Sequence, residues 1–218
     1  MKLYYRIVNF LFPPKCILCR KVLETRENDL CIQCWQEAPE YLSGKRKLQF
    51  LDSFAAVWYY EKNVRGSLLR YKFSGRRSYA SGYGRLLAMR ILQEYPDGFD
   101  VLTWIPISRL RKFRRGYDQV ELLARAVGRE LGMEPVQTIK KVRNNRQQSR
   151  IRDAAKRRAN VLGVYRVIAP EAVEDKRILL LDDILTTGAT ASEAGRVLLT
   201  AGAKEVHCAA VAASRNTK

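Results

Sequence analysis

The stretch Arg177-Ile-Leu-Leu-Leu-Asp-Asp-Ile-Leu-Thr-Thr-Gly-Ala-Thr190 leaves a chain few ways to fold. Ile178, Leu179, Leu180 and Leu181 form an unbroken apolar run with charge on both sides. A strand without polar alternation must be covered on both faces, which points to a parallel sheet between layers of helix. Asp182 and Asp183 follow where this strand is expected to end, and Thr186, Thr187, Gly188, Ala189 and Thr190 then lead into a helical pattern through Ala191, Ala194, Val197 and Leu198. A small, hydroxyl-rich loop of this kind turns its N–H groups inward. Its glycine admits close approach, and the helix N-terminus behind it favours an anion.

Carboxylates beside a phosphate cradle repel a phosphate, so the pair needs another partner. The vicinal hydroxyls of a ribose, or a metal on those hydroxyls, supply one. The simpler reading, two aspartates ending a strand and threonines capping a helix, explains solubility but not the whole ordered string. The string resembles the phosphoribosyl pyrophosphate (PRPP) signature of type I phosphoribosyltransferases, which would make Asp182, Asp183, Thr186, Thr187, Gly188, Ala189 and Thr190 the PRPP-binding residues.

Four of the five cysteines stand as Cys16-x-x-Cys19 and Cys31-x-x-Cys34. Two such knuckles bring four thiolates to one tetrahedral ion, which reads as structural zinc with no coordination position left for catalysis; a redox pair is the alternative. Cys208, in the apolar run 206–213, reads as a small buried side chain. A chain of 218 residues holds one good core and a small appendage. The expected division is 1–45, an N-terminal helix with a zinc-ribbon-like module, and 46–218, the main domain. The apolar residues 1–12 are interrupted by Arg6 and Asn9 and followed by Pro13-Pro14, so they read as an amphipathic helix and not as a signal peptide. The expected location is cytoplasmic, with peripheral contact at the inner face of the membrane as the alternative, since no stretch reaches the ~20 apolar residues of a membrane span.

The net charge is +18, from 40 Lys and Arg against 22 Asp and Glu. That exceeds what one small anionic substrate needs and favours a polyanion. One concentration of cations follows the strand expected at 99–107, which delivers Ser108, Arg109, Arg111, Arg114 and Arg115 to the carboxyl edge of the sheet. Ser108 and Arg109 are the expected pyrophosphate contacts. The other is the basic loop 140–158, expected to be mobile from 143 onward and carrying Arg150, Arg152, Arg157 and Arg158. These four, with Arg111, Arg114 and Arg115, form the expected surface for single-stranded DNA. Further strands are expected at 54–60, 136–142, 161–168 and 206–213. Helices are expected at 62–71 and 79–94, forming a hood over the sugar phosphate, and from an Asp118/Glu121 capping box to Gly132. His207, the one histidine, falls in a strand and reads as structural. The order predicts an α/β fold with a doubly wound, mainly parallel sheet.

Taken in order, the cysteine knuckles, the Tyr-Lys-Phe-x-Gly turn at Tyr71 to Gly75, Pro106-Ile-Ser108, the Arg-Arg-Gly-Tyr-Asp-Gln string ending at Gln119, and the 177–190 stretch resemble the ComF family. This competence-associated group also takes in proteins similar to the gluconate-utilisation protein GntX. The resemblance implies a zinc-ribbon module on a type I phosphoribosyltransferase fold, and a role in natural transformation beside a partner DNA helicase. It further implies that Asp182 and Asp183 hold the ribose hydroxyls and Mg²⁺, with the 5-phosphate on 186–190. Family members carry Asn where Asp118 stands, and the family's loop spacing is met loosely by Gln148, Ile151, Arg157 and Asn160; both departures bear on turnover and not on PRPP binding. Two functions are therefore expected: a PRPP-binding protein acting in DNA uptake and as a phosphoribosyltransferase, or a non-catalytic single-stranded DNA-binding accessory protein that uses PRPP or a nucleotide only as a ligand.

Overall fold

The computed structural model describes residues 13–24, 27–42, 44, 47–143 and 162–215. Along the chain run α1 (Ile32–Glu37), β1 (Ser53–Tyr59), α2 (Lys62–Phe73), α3 (Tyr79–Glu94), β2 (Val101–Trp104), α4 (Arg109–Arg115), α5 (Gln119–Leu131), β3 (Ile139–Lys141), β4 (Tyr165–Val167), β5 (Arg177–Leu185), α6 (Ala189–Thr200) and β6 (Glu205–Ala213).

The apolar run of β5 sits where its composition demands. The main sheet has the order β1-β6-β5-β2, and every neighbouring pair is parallel. Ile178 and Leu180 join Cys208 and Ala210 in the core under α6, while Leu179 and Leu181 join Ala209 and Val211 in the core under α2, α3 and α5. All four leucine and isoleucine side chains of the run are fully buried. Cys208 is buried too, as its apolar surroundings predict.

The strand does not stop at the aspartates. β5 runs on to Leu185, paired with β6 as far as Leu185 opposite Ala213, whereas its ladder with β2 ends at Leu181 opposite Trp104. Asp182 and Asp183 thus lie past the end of β2 on a strand still held from its other side. The helices that follow β2 and β5, α5 and α6, cover opposite faces, so the acids stand in the crevice of a topological switch point.

The strands expected at 136–142 and 161–168 are shorter and leave the main sheet. β3 and β4 form a separate antiparallel ribbon. Ile139 and Tyr165 are buried while Lys140 and Arg166 are exposed, so each strand has one apolar face to cover and lies against α6 without entering the sheet. The basic burst after β2 contains the short helix α4, capped by Ser108 Oγ on the Arg111 N–H at 3.3 Å and closed by Gly116 at φ +78°. Asp118 caps α5 through the N–H groups of Val120 (2.9 Å) and Glu121 (3.2 Å). Glu121 turns away to Lys112 and Arg125, so the expected capping box is a one-sided cap.

The cysteine-bearing segment docks on the helical layer. Arg70 donates to the carbonyls of Ile17 (3.2 Å) and Leu18 (2.5 Å), and Arg85 grips Asp29 through two nitrogens at 2.8 and 2.6 Å. Cys16, Leu18 and Cys31 share one buried cluster with Leu68 and Tyr83. α2 and α3 therefore form a layer between the sheet and this segment, and only the end of α2 reaches the cleft described below, so they do not form the expected hood. Among the described residues no helix is long and apolar enough to cross a membrane. The helix expected in 1–12, and most of the basic loop with Gln148, Arg150, Ile151, Arg152, Arg157, Arg158 and Asn160, lie outside the described residues.

Candidate functional site

A cleft of about 240 Å³ opens at the carboxyl end of β5. Its floor carries Asp182 and Asp183, its far rim Thr186 and Thr190, and its walls the cations Lys72 from α2, Arg111 and Arg115 from α4, and Lys141 from β3. Arg111 and Arg115 are one helical turn apart and half-buried, while Arg109, Leu110, Lys112, Phe113 and Arg114 face solvent. Helical periodicity thus divides the basic segment in two.

Asp183 is only 3% exposed, and protein donors hold both of its oxygens. Lys72 Nζ stands 2.8 Å from Oδ1, and Gln119 Nε2 donates to Oδ2 at 2.9 Å. Gln119 Oε1 in turn accepts from Arg115. Asp182 takes the N–H of Asp183 at 2.8 Å and is half-buried on the cleft floor. Burial and the neighbouring Asp183 push its carboxyl up to about 8, against the pull of Lys72. Burial, then the like charge of Arg111, brings Lys141 down to about 8, with Asp182 opposing. Burial also lowers Arg111. Four cations line the cleft beside two carboxylates, an excess of positive charge that an anion would relieve.

The hydroxyl loop closes onto α6. Gly188 takes φ +77°, and a Cβ there would stand 2.4 Å from Leu48 Cδ2. The glycine's open side is therefore filled by a leucine of the preceding connection, where sequence reasoning reserved it for a ligand. Thr187 Oγ1 accepts the Ala189 N–H at 3.4 Å, and Ala189 is buried, leaving the side chains of Thr186 and Thr190 to line the cleft.

The four knuckle cysteines bring their sulfur atoms within 4.8 Å of one another, with Cys19 and Cys31 Sγ at 3.6 Å and no disulfide among them. Around a tetrahedral zinc with Zn–S bonds of ~2.3 Å, sulfur atoms lie about 3.8 Å apart, so the thiol cluster has the dimensions of a closed structural site. Burial raises the Cys16 thiol, but the N–H groups of Cys19, Cys31 and Leu18 outweigh it and bring the group down to about 7.

A double zinc ribbon domain model matches residues 7–46, and a phosphoribosyl transferase domain model matches residues 114–218. Competence protein F of Haemophilus influenzae is 24% identical over 92% of this chain and 96% of its own length. Competence protein ComFC of Bacillus subtilis is 26% identical over 88% and 82%, and DNA utilization protein YhgH of Escherichia coli O157:H7 is 29% identical over 88% and 86%. Both modules thus occur in the right order, and the relatives run nearly end to end with the chain. The chain's curated homologues are thus competence and DNA utilization proteins of the ComFC and YhgH kind, as the resemblance to the ComF family implied.

The structure gathers Asp182, Asp183, Thr186 and Thr190 at one cleft and places the four cysteines in one cluster. Ser108 Oγ caps α4 and neither Ser108 nor Arg109 lines the cleft, whereas Arg111 and Arg115 of the same basic turn do. Arg114 also faces outward. Sequence reasoning gave no role in this cleft to Lys72, Gln119, Lys141 or Tyr165. Lys72 stands inside the Tyr71 to Gly75 string and Gln119 ends another, so both were within sight. Lys141 and Tyr165 carried no signal, because only the pairing of β3 with β4 brings them to the cleft.

Magnesium on both aspartates is the poorest fit among the ligands the ComF resemblance implies. An ion on Asp183 would have to displace the Lys72 ammonium from a buried carboxylate, leaving Asp182 as the one acid turned toward the cleft.

Proposed function

We propose that the cleft binds PRPP or a closely related ribose 5-phosphate ester, and that the protein acts in the handling of DNA taken up by the cell. One observation carries the ligand: Asp182 for a sugar hydroxyl, a hydroxyl loop at a helix N-terminus for the 5-phosphate, and the cations Arg111, Arg115 and Lys141 for a second phosphate group share one cleft. Support for the DNA role comes from the names of the relatives, from the charge of +18, and from the outer face of α4. There Phe113, 87% exposed, stands among Arg109, Lys112 and Arg114. Exposed aromatic and basic side chains together suit an unpaired strand, with the ring as a stacking platform.

In turnover, a nucleophile would displace pyrophosphate from the anomeric carbon. Arg111, Arg115 and Lys141 would hold the leaving group, Thr186 and Thr190 the 5-phosphate, and Asp182 a ribose hydroxyl. The chain would contribute position and charge. No lining residue is an evident general base other than the acids themselves. Calorimetry with PRPP tests binding, and pyrophosphate release in the presence of candidate acceptor bases tests turnover. PRPP binding without release would favour the accessory-protein reading, in which the nucleotide is a ligand only and the outer face of α4 binds single-stranded DNA. No binding of PRPP or of ribose 5-phosphate would overturn the ligand assignment.

A further inference from the structure

The Lys72–Asp183 pair is the feature of the cleft that the proposed ligand does not explain. Asp183 is buried at the centre of a parallel sheet edge, and its two oxygens are satisfied from two helices, by Lys72 at 2.8 Å and Gln119 at 2.9 Å. The Lys72 side chain is four-fifths covered, so the contact is shielded from solvent and not a surface ion pair. α2 is anchored close to this point: Tyr71 Oη donates to the Gln119 carbonyl at 2.6 Å, and Tyr117 Oη donates to the Tyr71 carbonyl. Both residues that hold Asp183 are thus tied to each other through the backbone.

We infer that Lys72 is a built-in counter-ion that occupies the place of a divalent metal on Asp183 and makes ribose phosphate binding in this cleft independent of magnesium. The inference rests on the ribose phosphate reading of the site. A dication bound to Asp183 would need an ammonium to leave a buried, hydrogen-bonded carboxylate, and would meet the remaining cations Arg111, Arg115 and Lys141 nearby. With the ammonium in place, Asp183 is neutralised, Asp182 is left to accept from a sugar hydroxyl, and the phosphates meet side-chain cations without a bridging ion. Lys72 is thereby a positioning residue for Asp183 that keeps this carboxylate from repelling the phosphates.

The test is calorimetric titration of the full chain with PRPP, once in excess Mg²⁺ and once in EDTA, with zinc content and melting temperature verified before and after each titration so that only zinc-loaded, folded protein is compared. Wild-type affinities in the two conditions should agree within about threefold, a difference well under 1 kcal/mol. Lys72→Met should lose roughly tenfold or more in EDTA, as expected for a charged hydrogen-bonding group removed, and recover much of it when Mg²⁺ is added. Lys72→Arg should keep metal-free binding. A melting curve for each variant separates lost binding from lost fold. Wild-type binding that is present in Mg²⁺ and vanishes in EDTA overturns this inference and leaves the ribose phosphate site standing. Absence of binding in both conditions overturns the site reading and the inference with it.

Discussion

Asp118 Oδ2 accepts the backbone N–H of Ile107 at 3.0 Å while its other oxygen caps α5, so one side chain fastens the loop after β2 to the helix behind the cleft. The three contacts are all N–H donors, and a carboxylate accepts on both oxygens whereas a carboxamide accepts on one. Asp118 is therefore the residue this loop geometry uses.

Asp118→Asn should turn an N–H group toward the Ile107 N–H or toward the α5 N-terminus. Either orientation loses a buried hydrogen bond, and the expected cost is about 1–3 kcal/mol. Chemical denaturation checks it. An unchanged midpoint would mean that the loop repacks around the amide.

Asp182 and Asp183 should respond differently to the same substitution, contrary to what two acids at an exposed strand end would do. Asp183→Asn leaves the largely buried Lys72 without its counter-charge and is expected to cost roughly 3–5 kcal/mol. Asp182→Asn removes a carboxyl already held well above its ordinary range by burial and by Asp183. A raised acid contributes stability that is full below its unfolded value and is lost progressively as pH rises to the folded one, so the contribution of Asp182 falls across the interval from about 4 to about 8 and levels off above it. The Asp182→Asn variant should gain melting temperature over wild type as pH is taken from 6 toward ~9. A parallel pair of melting curves across that interval would remove the assignment.

The binding of a phosphate ester should weaken in alkaline solution because of Lys141. Burial and Arg111 hold this amine down at about 8, and an anion beside it would draw it back toward its ordinary value. Binding then takes up a proton above pH 8, and affinity should fall by up to about tenfold per pH unit there. Lys141→Arg, whose guanidinium stays protonated, should flatten the profile. Titrations in buffers of different ionisation enthalpy read the proton directly.

Arg111→Met and Arg115→Met should each weaken PRPP binding by roughly tenfold, the loss of one charged hydrogen-bonding group. Arg109→Met and Arg114→Met should leave it within about twofold, since their charges face water. The outward pair, with Phe113→Ala, should instead weaken binding of a single-stranded oligonucleotide measured by fluorescence anisotropy. An equal effect of all four arginines on PRPP would contradict the division of α4 into two faces.

Zinc removal should destabilise more than the N-terminal segment. Cys16, Leu18 and Cys31 share a core with Leu68 and Tyr83, and Arg70 and Arg85 tie α2 and α3 to carbonyls and to Asp29. Cys34→Ser should lose the metal and lower the temperature of a single calorimetric transition. Two separate transitions would show the ribbon and the sheet to be independent. Because zinc binds thiolates, retention of the metal should also decline as pH falls.

Much of this was legible in the chain itself. The parallel sheet followed from a run of four apolar residues with no polar alternation, and the thiol cluster from the spacing of two knuckles. The aspartates and the hydroxyl loop were found because they are contiguous. What escaped was assembled from distant positions. Lys72, Lys141 and Tyr165 reach the cleft from α2 and from a ribbon whose strands are too short to advertise a period. The choice of Arg111 and Arg115 over Arg109 required knowing that the basic burst is helical, and seven residues rich in arginine gave no apolar stripe to show it.

Leu48 filling the open side of Gly188 has a practical meaning for anyone cutting this chain in two. The same connection lays the Phe50 carbonyl against Gly195, where an added Cβ would stand 2.2 Å away. A fragment that began at β1 would expose both glycines on α6 and strip the hydroxyl loop of its backing. Its phosphate seat would then be slack even if the sheet survived. An expression boundary set ahead of Lys47 keeps that backing, whereas lengthening the connection beyond Leu48 would transmit its slack to the loop and not to solvent.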